Sequence, residues 1–276
     1  MLTGVHGCCT VAAIYGVPIV YAEDNWPNCG HQFLSDDEVD VLEPPNLDTN
    51  CLFQELMSQV DWIARTEGQV EGFINWQGVL NNAYRLRGEK LFYDLVDSPQ
   101  RCYHLFDCIC TTMIEATKRL HQRQLDSGVE MGFFTVSNCL VNMVSPGKYR
   151  DMLLPFDRRI AEAFGCIGIH NCAWNADPYM DAYASIPHVG YIDMGLESNL
   201  ARAKQAFTHA RRALMYKSTD LANKSLEVIR TDLERIAREY APCDVVVADI
   251  EARTPDERVL AFLELCDKLN CRMENE

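Results

Sequence analysis

The sequence contains no uninterrupted apolar run of the roughly 18–20 residues needed to span a bilayer. Its opening, MLTGVHGCCT, has neither the basic start nor the long apolar stretch of a signal peptide. The chain is therefore expected to be cytoplasmic, without a membrane partner. Positive charge is also scarce, with 25 Lys and Arg against 40 Asp and Glu and a formal net charge of −15. Such a chain repels a phosphate backbone unless its cations are gathered on one face. The nearest clusters, Arg158-Arg159 and Arg211-Arg212, read as helix ends or solvated faces, so nucleic acid is not expected as a partner. No GxGxxG or GxxxxGK[ST] follows any strand-like run, which removes the usual nucleotide-binding loops. No internal repeat or linker is visible.

What remains is an ordinary globular composition, 276 residues with 48% apolar and 24% charged. One domain over residues 1–276 is the simplest organisation. Cysteine is the exception to this ordinariness. Thirteen of them, an odd number scattered through helical and strand-like segments, argue against a disulfide framework. Most are expected as small buried apolar residues, a few as thiolate metal ligands.

Short apolar runs bounded by polar or turn residues mark strands at Pro18–Tyr21, Gly72–Trp76, Gly132–Val136, Cys166–His170, Val189–Asp193, Ala213–Lys217 and Asp244–Asp249. Helical spacing occupies Leu52–Ala64, Gln100–Gln124, Pro146–Phe164, Ser198–Thr208, Leu221–Glu239 and Pro255–Leu269. Ser145-Pro146 and Thr254-Pro255-Asp256-Glu257 are helix-start signals. Repeated βα units imply a doubly wound sheet or a (β/α) barrel, and the length suits a barrel of about 250 residues. The fold class expected is an α/β (β/α)8 TIM-type barrel whose first strand is missing or disguised. Residues 22–50 are polar and proline-bearing, and read as a long loop over one face, with Trp26-Pro27-Asn28-Cys29 as a possible ligand contact.

In a barrel, chemistry sits at the carboxyl ends of the strands. Those ends carry Asn75-Trp76-Gln77, Ser137-Asn138-Cys139, His170-Asn171-Cys172-Ala173-Trp174, Asp193 and Glu197, Lys217-Ser218, and Asp249 with Glu251. The sharpest signal is His170-x-Cys172. On extended backbone, residues two apart point the same way, so an imidazole and a thiolate can reach one zinc at about 2.0–2.3 Å. Cys139 reads as a packed small residue, and Cys8-Cys9 as chemically silent.

Three segments together, VAAIYGVPIVYAEDNWP, SNCLVNMVSPGKYRDMLLPFDRRIAEAF followed by GIHNCAW, and VVVADIEARTPDERVLAFL, resemble the uroporphyrinogen decarboxylase superfamily, which includes cobalamin-dependent methyltransferases. The resemblance runs from about residue 11 to the C-terminus. It implies a barrel with a deep cleft and one of two chemistries. The decarboxylase branch is metal-free and binds a tetrapyrrole through an arginine-rich RQAGRY motif and an aspartate. That motif is absent here, and Asp24 is the nearest candidate for the aspartate. The methyltransferase branch holds zinc through His-x-Cys and a cysteine on the last strand, and uses it to activate an acceptor thiol toward a methyl-corrinoid protein. His170 and Cys172 match the first half, but VVVADIEAR has no cysteine, and the family position falls at Ala248 or Asp249.

The resemblance thus implies zinc-dependent methyl transfer with a corrinoid protein or a small methylated substrate. The metal ligands would be His170, Cys172 and Asp249, with Asp193 or Glu197 as a further oxygen donor. Asp193, Lys217 and Asn138 are the candidate catalytic groups. Asn75, Trp76, Gln77 and Trp174 are the candidate substrate contacts. The alternatives are a metal-free decarboxylase of a tetrapyrrole or smaller carboxylate, and a non-catalytic corrinoid- or tetrapyrrole-binding barrel. A homodimer is expected, because an incomplete first strand would leave an open sheet edge.

Overall fold

The computed structural model describes residues 6–23 and 25–273; Asp24 lies outside them. The chain builds α1 (Thr10–Ile14), β1 (Ile19–Ala22), β2 (Asn25–Cys29), α2 (Asp36–Asp40), α3 (Cys51–Glu67), α4 (Val79–Arg87), α5 (Lys90–Asp97), α6 (Pro99–Asp126) and β3 (Phe134–Ser137). It continues through α7 (Pro146–Lys148), α8 (Leu154–Phe164), β4 (Ile167–His170), α9 (Met180–Ala184), β5 (Val189–Gly195), α10 (Leu200–Ala206), β6 (Arg211–Met215), α11 (Ser218–Asn223), α12 (Leu226–Glu239), β7 (Asp244–Val246) and α13 (Asp256–Met273). None of the helices is long and apolar enough to cross a membrane, among the described residues.

The fold is α/β. Its main sheet has five strands in the order β3-β4-β5-β6-β7, with β5–β6 and β6–β7 parallel. Sequential order of this kind follows from βα units in which each helix returns the chain beside the strand it left. Residue contacts divide the chain into two compact units, one ending at Ile167 and one beginning at Gly168. The first is organised on the 28-residue α6, whose Phe106, Ile109, Met113 and Leu120 are buried, as are Phe53 and Val60 of α3. In the second, Ile192, Met194 and Leu214 of the strands and Ile229, Leu233 and Ile236 of α12 form the core.

The described residues do not form the closed eight-stranded barrel expected from the sequence. The Pro18–Tyr21 run is an antiparallel hairpin, β1 with β2, registered from Ile19↔Cys29 to Ala22↔Asn25. The Gly72–Trp76 run is not a strand beyond a single bridge at Gly72. Gly72 has a φ of 103°, and the Gln124 amide of α6 donates to the carbonyls of Val70 and Gly72 at 3.1 and 2.8 Å. A side chain thus takes acceptors that a neighbouring strand would use. Residues 22–50 are also more ordered than a long loop. Ser35 and Glu38 form a capping box at α2, and Asp36 pairs with the buried Arg87 and with Lys90 and Arg101. Arg87 holds the Asp36 carboxyl well below the usual carboxylate range.

Two long helices expected from periodicity are interrupted. Pro146–Phe164 contains a π-helical turn at Tyr149–Leu153, just ahead of Pro155, whose missing N–H breaks the regular ladder. Leu221–Glu239 divides where the Ser225 side chain accepts from Val228 N and starts α12. Cys102, Cys108 and Cys110 of α6 are buried thiols. Burial pushes Cys102, Cys108 and Cys110 up to about 12, 11 and 12, which makes them inert core residues.

Candidate metal centre

β4 ends at His170, and the chain turns at once. Cys172 sits at φ 55°, a left-handed conformation that costs a non-glycine residue about 1 kcal/mol or more. This turn, and not the alternation of an extended strand, brings Cys172 Sγ to 3.0 Å from His170 Nε2. Neighbouring backbone holds it. Gly195 N, at the end of β5, donates to Trp174 O at 2.8 Å, and a Cβ on Gly195 would lie 2.3 Å from Ala173 O. Only glycine permits that approach.

The other face of the imidazole is fixed by β5. Asp193, fully buried, accepts from His170 Nδ1 at 2.6 Å and from the Tyr191 hydroxyl at 2.9 Å through Oδ2. Its Oδ1 accepts from Asn171 N at 2.8 Å. Burial, and then the charge of Asp193, push the Tyr191 phenol up, so that it stays a donor. Buried Asn171 is itself held by Tyr183, whose hydroxyl donates to Asn171 Oδ1 at 3.0 Å. With Nδ1 committed to a carboxylate, Nε2 faces the thiol. This carboxylate–imidazole arrangement is the one that orients a metal-binding histidine. Asp193, expected as a catalytic group, here positions His170.

Asn138 and the residues around it form a second network. Asn138 Nδ2 donates to Asp157 Oδ2 at 2.9 Å, and the Tyr149 hydroxyl donates to the same oxygen at 2.6 Å. Asp157 is completely buried, and burial raises its carboxyl to about 6. Asn75 Oδ1 accepts from Gln77 N, Gln77 Nε2 and Ser137 Oγ at 3.0, 2.9 and 3.3 Å. Asn81 extends the chain, donating to Gln77 Oε1 and accepting from Leu140 N. Gly78 allows this packing, since a Cβ there would meet Ser137 O at 2.6 Å. Asn75 is exposed, whereas Trp76 and Gln77 are buried.

The remaining expected residues are dispersed. Lys217 pairs with Glu197, whose carboxyl burial would raise but the lysine lowers. Trp174 is exposed at the tip of the turn after Cys172. Asp249 is exposed, three residues beyond the end of β7 and at φ 54°. The chain leaves the sheet before reaching it. Among the described residues, the group of donor side chains close enough to share one ion does not include Asp249.

Comparison with solved structures finds a methyltransferase from Methanosarcina mazei, with a TM-score of 0.67 and 17% sequence identity over 95% of this chain and 78% of that one. At that identity the likeness establishes the fold. No protein-family model matches the chain, and no curated protein matches it.

Proposed function

We propose that the protein is a zinc-dependent methyltransferase of the uroporphyrinogen decarboxylase type. The observation that carries this reading is the His170–Cys172 pair, with Nε2 3.0 Å from Sγ and Nδ1 held by Asp193. His170 Nε2 and Cys172 Sγ would together hold the ion. An imidazole nitrogen and a thiolate together suit zinc, and an ion held by so few protein ligands would keep a position open for substrate, the pattern of a catalytic site.

Zinc held there would supply Lewis acidity able to favour the thiolate form of an acceptor thiol at neutral pH. Asp193 fixes the imidazole, and the turn after β4, locked on Gly195, fixes Cys172. The structural likeness to a methyltransferase supports the reaction class. A methyl-corrinoid protein is the proposed donor. The test uses free methylcobalamin as donor and a small thiol as acceptor. The expected result is a methyl thioether together with reduced cobalamin, neither of which Cys172→Ser produces. Zinc-loaded protein that transfers no methyl group to a panel of thiols would overturn the reaction. Unchanged metal affinity in Cys172→Ser would overturn the ligand set.

A further inference from the structure

Within the first compact unit, Arg85 of α4 has an unusual set of neighbours. Its Nη2 lies 2.8 Å from Cys8 Sγ, and its Nη1 lies 3.7 Å from Cys29 Sγ and 3.4 Å from Asn28 Oδ1. Its Nε is buried without a hydrogen-bond partner, and no carboxylate pairs with it among the described residues. A half-buried guanidinium needs a counter-anion, or its desolvation goes uncompensated. Here the groups able to supply one are thiols. Cys9, the residue preceding α1, is fully buried, and its Sγ lies 3.5 Å from the carbonyl of Pro27, two residues before Cys29 on the same strand.

The protonation pattern agrees with this geometry. The Cys9 thiol is pushed far up, by Cys29 and Cys8 before burial. Cys8 is lowered to about 6 and Cys29 to about 7, in each case first by Cys9 and then, against burial, by Arg85. One protonated thiol thus accompanies two sulfurs biased toward thiolate. Cys8 and Cys29 are half-buried rather than sealed, so a small oxidant can reach them.

We infer that Cys9 and Cys29 are a peroxide-reactive dithiol, in which Cys29 is the nucleophile and Cys9 the resolving thiol. The Cys29 thiolate attacks one oxygen of hydrogen peroxide. The O–O bond breaks, hydroxide leaves, and Cys29 becomes a sulfenic acid. The Cys9 sulfur then attacks the Cys29 sulfur, the S–O bond breaks, and the departing hydroxide takes the Cys9 proton as water. Two thiols lose two electrons in forming one disulfide, and one peroxide is reduced to two waters. A dithiol reductant returns the two electrons. Cys8 is the less suitable partner for Cys9. Adjacent Cα atoms are about 3.8 Å apart, shorter than the roughly 4.4–6.8 Å that disulfides prefer, whereas Cys29, on β2, is under no such constraint.

The test treats the full-length protein at pH 7 with a few equivalents of hydrogen peroxide, blocks free thiols, and maps disulfides by non-reducing peptide mass spectrometry. The expected product is a Cys9–Cys29 cross-link, removed by dithiothreitol and absent from Cys29→Ser. With brief alkylation by iodoacetamide, Cys29 is expected to react about tenfold faster than exposed Cys51, and Arg85→Gln to reduce that advantage. A Cys8–Cys9 product, scattered oxidation without a cross-link, or alkylation of Cys29 no faster than Cys51 would overturn the proposal. Matching thermal unfolding of Cys29→Ser and the parent protein establishes that a lost cross-link reflects chemistry and not misfolding.

Discussion

Asp193 holds three donors with one carboxylate, and the imidazole Nδ1 is among them. In Asp193→Asn the shape stays and the charge goes, so the preference for the Nδ1–H tautomer weakens. Substitutions that remove such a partner cost about 10–100-fold in metal affinity. A competitive chelator titration is expected to show a loss in that range; an unchanged affinity would mean that His170 is oriented by something else. Asp157 makes a different prediction. Its folded-state carboxyl sits at about 6 against an ordinary 3.8, because burial disfavours the ion. The folded protein therefore takes up this proton at higher pH than the unfolded chain does. Its contribution to stability rises as pH falls through about 6 and levels off below about 4, and at most it amounts to on the order of 2–3 kcal/mol. Thermal unfolding of Asp157→Asn is expected to lack that rise between pH 7 and 4. Parallel pH profiles would contradict it. Among single residues, His170 and Cys172 were legible because a histidine and a cysteine at a strand end have recognisable chemistry. Arg85 was not, since nothing in the local sequence around it announces two distant thiols.

At the scale of elements, the centre depends on how β4 ends. A strand continuing past His170 would carry Cys172 further along the sheet; the left-handed turn instead folds it back. The turn in turn depends on Gly195, where any Cβ meets Ala173 O. Gly195→Ala is expected to cost about 1–3 kcal/mol and to weaken zinc binding with it, read from thermal unfolding and metal content together. A destabilised protein that still binds zinc normally would separate the turn from the site. The sequence located β3 to β7 and the long helices, because apolar runs and helical spacing are local signals. It misplaced the elements fixed by distant partners. Gln124 withholds backbone acceptors from residues 70–72, and Arg87, Lys90 and Arg101 order the Asp36 segment from another part of the chain.

For the whole molecule, sequence order predicted neighbouring strands correctly from β3 to β7, since βα units place successive strands side by side. The hairpin of β1 and β2 lies outside that rule. A ligand bound only by the folded state stabilises it by mass action. Zinc at about 100 times its dissociation constant is expected to add roughly 2.7 kcal/mol. The gain should shrink as acid protonates the thiols and imidazole. It should vanish in Cys172→Ser, and a melting temperature indifferent to zinc and chelator would contradict the proposed ligand set.

The central claim is that His170 and Cys172 bind zinc, and its most direct test is the metal content of protein purified without added metal, beside Cys172→Ser. The account predicts about one zinc per chain in the parent protein and close to none in the variant. No zinc in the parent, or equal zinc in both, would contradict it.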